Sequence, residues 1–205
     1  MRKSSIKFDV AGKNTRLCEL ARSWHTDKVP SINHHYTPYY DALLAGRDVR
    51  KLLEIGIGSP DSVPSACATC NGAGLHMWAA YFPSAAVWGL DIRGDILVNE
   101  GRIKSLQCDQ SSAWQLRRSM DVIGGGLDFV VDDGSHVADH IILTANTLLP
   151  FLNPGGVYVI EDVFQRFLDQ VVTEIPYECE VVEFVGGRII PDICDDRLVV
   201  IRVPS

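Results

Sequence analysis

The chain has 205 residues, 46% of them hydrophobic and 22% charged, and a formal net charge of −7. This length and composition predict one α/β domain with extra elements and a full core, not two domains. The acidic balance argues against a nucleic-acid backbone as partner, and no apolar run approaches the roughly 20 residues of a membrane span.

The first 13 residues read as a frayed arm. They start basic but hold no apolar stretch of the kind a signal peptide carries, so a cytoplasmic protein is expected, with its six cysteines as thiols. From Thr15 a helix is predicted, with Leu17, Leu20, Ala21 and Trp24 on one stripe. Residues 25–46 follow, in which Pro30 and Pro38 bound a loop rich in His, Asn and Tyr, with a short helix from Pro38 to Gly46. Such density ahead of a sheet suits a lid over a site, although each tyrosine taken singly also suits packing on a sheet edge. Residues 1–46 are therefore expected as a helical arm or lid, and residues 47–205 as the main domain.

Lys51 to Ile55 is the first predicted strand, running into Gly56-Ile57-Gly58. A nicotinamide dinucleotide fingerprint needs a third glycine at position 61, where Asp61 stands. An acidic residue two positions before a Gly-x-Gly, here Glu54, suits S-adenosylmethionine better. A long insertion follows, holding Cys67 and Cys70. One Cys pair lacks the partners of a zinc site, and a flexible insertion at the mouth of the site is the stronger reading. A helix through Leu75, Trp78, Ala79 and Phe82 comes next.

Ala86 to Leu90 is a strand ending at Asp91, an acidic tip of the kind that holds ribose hydroxyls. Ile103 to Cys108 is a strand ending in Asp109-Gln110-Ser111, placed to meet an adenine ring or to cap the helix from Trp114 to Met120. After Gly124-Gly125-Gly126, a buried strand (Leu127, Phe129, Val130, Val131) runs into Asp132, Asp133, Gly134, Ser135 and His136. A helix then carries Ile141, Leu143, Leu148 and Leu149. Asn153-Pro154-Gly155-Gly156 reads as a tight turn into the strand Val157 to Ile160, which ends in Glu161-Asp162. One more helix follows, and Cys179 to Val185 with Arg197 to Val203 form a closing antiparallel pair.

Asp132 and Asp133 read alone are helix-capping residues as readily as ligands. The second acidic pair changes this. Neighbouring parallel strands would set Asp133, Glu161 and Asp162 side by side, where carboxylates repel unless a cation or proton sits among them.

The segments TDK, YTPYYDALL, LLEIGIG, LHMWAAYFP, GLDI, DQSS, DDGSH and NPGGVYVIEDV resemble the metal-dependent sugar O-methyltransferases of macrolide antibiotic biosynthesis, over roughly residues 25–165. These are class I S-adenosylmethionine-dependent methyltransferases. The resemblance implies a Rossmann-like, mostly parallel seven-stranded sheet with helices on both faces and a C-terminal antiparallel hairpin. It implies Mg²⁺ held by Asp133, Glu161 and Asp162, with His136 as general base. It implies cofactor contacts at Glu54, Gly56, Gly58, Asp91, Asp109, Gln110 and Asp132. It also implies a homo-oligomer whose amino-terminal segment serves neighbouring sites.

The expected activity is methyl transfer from S-adenosylmethionine to a sugar hydroxyl of a glycosylated natural product. His136 lies one helical turn from Asp133, and an imidazole is the side chain best suited to act as a base at neutral pH. His140, four residues on and on the same face of the predicted helix, is the fallback base, and Tyr36, Tyr39 and Tyr40 are candidate substrate contacts. Two alternatives stay open: a metal-dependent catechol-type O-methyltransferase, and a cofactor-binding protein without activity.

Overall fold

The apolar runs become the middle of one sheet. The computed structural model describes residues 3–61, 70–186, 189–190 and 194–205. Strands β1 (Lys3–Asp9), β2 (Lys51–Ile55), β3 (Ala86–Asp91), β4 (Ile103–Gln107), β5 (Leu127–Asp132), β6 (Leu152–Ile160), β7 (Cys179–Val185) and β10 (Arg197–Arg202) form an eight-stranded sheet. Their order is β1-β7-β10-β6-β5-β2-β3-β4. Strand β10 is antiparallel to both of its neighbours, and the other pairings are parallel. Short strands β8 (Ile189–Ile190) and β9 (Cys194–Asp195) form a separate hairpin. Cys67 of the cysteine pair, insertion residues 62–69 and Gly187 lie outside the described residues.

The central strands read as unbroken apolar runs because helices cover both faces of the sheet. One face takes α1 (Arg16–Trp24), α2 (Tyr36–Leu44) and α3 (Ala73–Tyr81), with Leu17, Tyr40, Trp78 and Phe129 in one cluster. The other takes α4 (Ala113–Ile123), α5 (Ala138–Leu148) and α6 (Gln165–Glu174), with Leu116, Val130, Ile141 and Val171 in a second. Thr15 caps α1 through the Cys18 N–H, and Ser112 caps α4 through the Gln115 N–H. Among the described residues no helix is long and apolar enough to cross a membrane.

Two details differ from the sequence expectation. The sheet has eight strands, not seven, because residues 3–9 are not a frayed arm: they pair in parallel with β7. Phe8 anchors them, its ring 5.2 Å from Tyr39 and 6.3 Å from Phe184. An exposed edge at β7 would otherwise be left unpaired. The Asn153-Gly156 stretch is not a turn before a strand. It lies within β6 as an irregularity, where Leu127 pairs with Leu152 but Phe129 already pairs with Val157. The Gly155 N–H and Gly156 carbonyl bond the Val203 backbone instead, which ties the chain's end to the sheet.

Candidate active site

The chain reverses its direction of winding at β2. Strands β3 and β4 are laid down on one side of it, β5 and β6 on the other. The crevice outside the carboxyl ends of strands flanking such a point is where open α/β sheets bind ligands. Here the ends of β2, β3, β5 and β6 carry Glu54, Asp91, Asp132-Asp133 and Glu161-Asp162. Backbone bonds hold these tips in register: Gly56 N–H to Leu90 O at 2.8 Å, Asp133 N–H to Ile55 O at 2.9 Å, and Glu161 N–H to Asp132 O at 2.9 Å.

A cleft with two lobes opens there. The first, about 280 Å³, is lined by Glu54, Gly56, Gly58, Asp91, Asp133, His136 and Asp162, and by His25 to Lys28 of the lid segment. The second, about 200 Å³, is lined by Gly56, Asp91, Asp109, Gln110, Gly134, Ser135 and His140. The lobes share Gly56, Asp91 and Gly134, so they form one elongated cleft along the strand ends. Of the residues expected at a cofactor, Glu54, Gly56, Gly58, Asp91, Asp109 and Gln110 line it. Asp132 does not. Its carboxylate is buried, accepts from Tyr158 Oη at 3.0 Å and Gln110 Nε2 at 3.1 Å, and is pushed up to about 6 by burial.

Asp133, His136 and Asp162 each offer a ligand atom within 4.8 Å of the others. Glu161 is buried beside them: Oε1 accepts from Tyr40 Oη and Oε2 from Lys28 Nζ, both at 2.6 Å. Lys28 Nζ also lies 2.5 Å from Asp133 Oδ2 and 3.5 Å from Glu54 Oε1. Burial raises the pKa of Glu161 well above normal, and lifts Glu54 to about 7, despite the lysine. At Asp133 burial also pushes upward, but Lys28 and His136 outweigh it and hold the carboxyl below its usual value.

His136 and Asp162 share a feature absent from an ordinary helix start. Their φ angles are 55° and 53°, in the left-handed region. Non-glycine residues held there concentrate at functional sites, because only the surrounding structure keeps them in place. The conformation also overturns one expectation. His136 does not sit on a helix face with His140, since α5 begins only at Ala138. His140 lies in the second lobe, with Nδ1 3.0 Å from Ser135 Oγ, away from the acidic cluster.

The tyrosines expected at the substrate are buried and serve the carboxylates. Tyr36 donates to Asp162, Tyr40 to Glu161, and Tyr39 to Glu180 of β7 at 3.2 Å. Sequence reasoning placed Lys28 and His34 in the lid without assigning them a role, and missed Asp196 as the partner of His34. His34 stacks on Tyr36 at 4.8 Å and bridges Asp162 (3.5 Å) and Asp196 (3.3 Å). Burial pulls its pKa down, but the Asp196 bond and nearby carboxylates win and raise it to about 9. Asp196 also accepts from the His35 N–H at 3.1 Å and from its ring. The signal was the charge count, because four carboxylates at three strand tips demand cations from elsewhere in the chain. Asp196→Ala should cost about 3 kcal/mol in a urea titration, because it strips a buried pair of one partner. A change within about 0.5 kcal/mol would mean that the His34–Asp196 contact does not hold the lid.

Comparison with known proteins shows what the chain is similar to. The chain is 39% identical over 133 residues to a rhamnosyl tetracenomycin-C 2'-O-methyltransferase of Streptomyces olivaceus (65% of this chain, 32% of the relative). It is 37% identical over 165 residues to mycinamicin VI 2''-O-methyltransferase of Micromonospora griseorubida (77% and 39%). The structure of MycE methyltransferase from the mycinamycin pathway, in complex with Mg and SAH, superposes with a TM-score of 0.63 at 32% identity, over 89% of this chain and 41% of that one. The fold is that of a class I methyltransferase, and the sequence is related to the macrolide sugar O-methyltransferases. A class I neighbour at 14% identity, the O-methyltransferase TomG of Streptomyces achromogenes, supports the fold alone, with a TM-score of 0.56. No family model matches. The methyltransferase-fold chain spans only 32% to 39% of the length of these two curated relatives.

Proposed function

We propose that the chain is an S-adenosylmethionine-dependent, Mg²⁺-dependent O-methyltransferase acting on a sugar hydroxyl of a glycosylated natural product. The carrying observation is the cluster of Asp133, His136 and Asp162 at the mouth of the strand-end cleft. Oxygen donors from two carboxylates suit a hard ion. Imidazole does not, which leaves His136 for another task. The cleft fits the cofactor as well, being elongated, acidic at one end, and closely lined by glycine. A Cβ on Gly74 would come within 2.6 Å of both Glu54 oxygens.

When bound, S-adenosylmethionine supplies an electrophilic methyl group and Mg²⁺ a Lewis acid for oxygen donors. In this reading Asp91 holds the ribose, Asp109 and Gln110 border the adenine end, and Glu54 borders the methionine end. Asp133 and Asp162 hold the ion, with Glu161 beside them. His136 takes the acceptor's proton at Nε2, the ring atom 3.9 Å from Asp133 Oδ1. His25 to Lys28 line the first lobe. The same reading places the protein in the cytoplasm, which suits the buried thiols Cys18, Cys108 and Cys179, and in a homo-oligomer.

Calorimetric titration of S-adenosylhomocysteine into the metal-stripped chain, with and without Mg²⁺, tests this. The expected outcome is micromolar one-to-one binding and a separate heat for Mg²⁺. No binding in either condition would overturn the assignment.

A further inference from the structure

The second lobe of the cleft holds one polar side chain that the proposed chemistry leaves unused. His140 lines it, half-buried on the first turn of α5, and no described residue bonds its Nε2. Its Nδ1 lies 3.0 Å from Ser135 Oγ, and that contact fixes the tautomer. The Val137 N–H donates to the same hydroxyl at 3.4 Å. Among the described residues, Nδ1 is then the one acceptor for the hydroxyl's own proton. A neutral imidazole that accepts at Nδ1 carries its proton on Nε2, so the ring keeps an N–H donor for the lobe. The neighbours define what that donor can meet. The Gln110 amide is already occupied: Nε2 donates to Asp132 at 3.1 Å and Thr144 at 3.2 Å, and Oε1 accepts from the Ser135 N–H at 2.5 Å. It holds the loop before α5 in place and has no group left to read a ligand. Asp109 takes the Ser111 N–H and hydroxyl on Oδ1, at 2.9 and 2.7 Å, which leaves Oδ2 as an acceptor. Between them the walls are apolar, from Ile55, Leu90 and Ile92. An apolar slot with a carboxylate acceptor and an imidazole N–H donor matches one edge of adenine. There an exocyclic amine, a donor, is flanked by two ring nitrogens, N1 and N7, that accept. Hypoxanthine carries an oxygen in place of the amine and would set it against Asp109.

We propose that His140 is the purine-reading donor of the second lobe: its Nε2–H bonds one of the two ring nitrogens flanking the adenine amine that Asp109 accepts, and Ser135 holds the imidazole in the tautomer this needs. The proposal rests on the reading of the second lobe as the adenine end of the cofactor cleft. It gives the histidine a task other than proton transfer, for which it stands too far from the acidic cluster. His140 is a binding residue, and Ser135 acts through it as a positioning residue. Base specificity follows, because a cleft that pairs a donor with an acceptor penalises a ligand that leaves either unmet.

The test uses the full chain and calorimetry with S-adenosylhomocysteine and its 1-deaza and 7-deaza analogues. His140→Phe keeps a ring but removes the N–H, and should bind S-adenosylhomocysteine ~tenfold more weakly than the parent. His140→Gln restores an N–H donor and should recover most of that loss. One deaza analogue should bind the parent ~tenfold more weakly than S-adenosylhomocysteine, yet bind His140→Phe as well as S-adenosylhomocysteine does. A merely structural histidine does not produce that coupling. ¹⁵N NMR of the imidazole at about pH 8, where the ring is neutral, should place the proton on Nε2 in the parent and show mixed tautomers in Ser135→Ala. Unchanged affinity in His140→Phe, analogue penalties that persist in it, or a proton on Nδ1 in the parent overturns the proposal. The tautomer and the parent's deaza penalty decide even if His140→Phe does not fold. A parent that binds no S-adenosylhomocysteine ends the proposed function and this proposal together. A parent that binds it, with no loss in His140→Phe, ends this proposal alone.

Discussion

His136→Ala is expected to lower turnover ~10²- to 10⁴-fold, the usual worth of a general base, while S-adenosylhomocysteine binds as before. The imidazole is 29% exposed, lines the first lobe, and touches the acidic cluster only loosely, at 3.9 Å from Asp133. Its other neighbour is the edge of the Phe164 ring, 6.4 Å away between centroids. Little of the fold leans on it, so a loss of activity would not be a loss of structure. One confounder is the backbone. Alanine at φ 55° is strained by roughly 1 kcal/mol, while asparagine tolerates that region. His136→Asn therefore separates the two causes. Both variants should lose turnover alike, but only the alanine variant should melt lower. The role falls if either variant loses cofactor affinity in proportion to activity. Unchanged Mn²⁺ affinity in His136→Asn would further show that the imidazole is no ligand.

The sheet and its acidic tips were legible because they rest on local signals. Four- to six-residue apolar runs ending in Glu54, Asp91, Asp133 and Glu161-Asp162 are read directly, and parallel order follows from the intervening helices. Residues 3–9 carried no such signal, since alternation of Ile6 and Phe8 among polar residues acquires meaning only beside Val182 and Phe184, far along the chain. The left-handed turn at His136 was equally hidden. A sequence reads DDGSH as the start of a helix, and two residues decide whether His136 and His140 share a face. Counting carboxylates showed that cations were needed at the strand tips. It did not show which cations, because that depends on how the lid folds back. The structure assigns Lys28 to Glu161 and His34 to Asp162, which separates two adjacent acids that the sequence treats as a pair.

Gly56→Ala is expected to abolish folding or lower stability by about 4 kcal/mol or more, a large share of a typical domain's total. Gly56 has φ +80°, and a Cβ there would stand 2.1 Å from the Asp133 carbonyl oxygen and 2.8 Å from Gly134 Cα. Those are backbone atoms in the loop that carries the acidic cluster, and they have no rotamer by which to yield. Gly46→Ala provides the control. Its φ is +73°, close to that of Gly56, but nothing lies within 4 Å of the added carbon. It should lose only the roughly 1 kcal/mol of left-handed strain. The difference between the two melting curves then measures the close approach of β2's turn to the DDGSH loop, separated from the glycine's conformational freedom. Equal losses would mean that the two loops part easily and that their close approach does not require glycine. A large loss at Gly56 alone would show that the chain accepts only glycine there because Asp133 must sit against the strand tip beside Glu54.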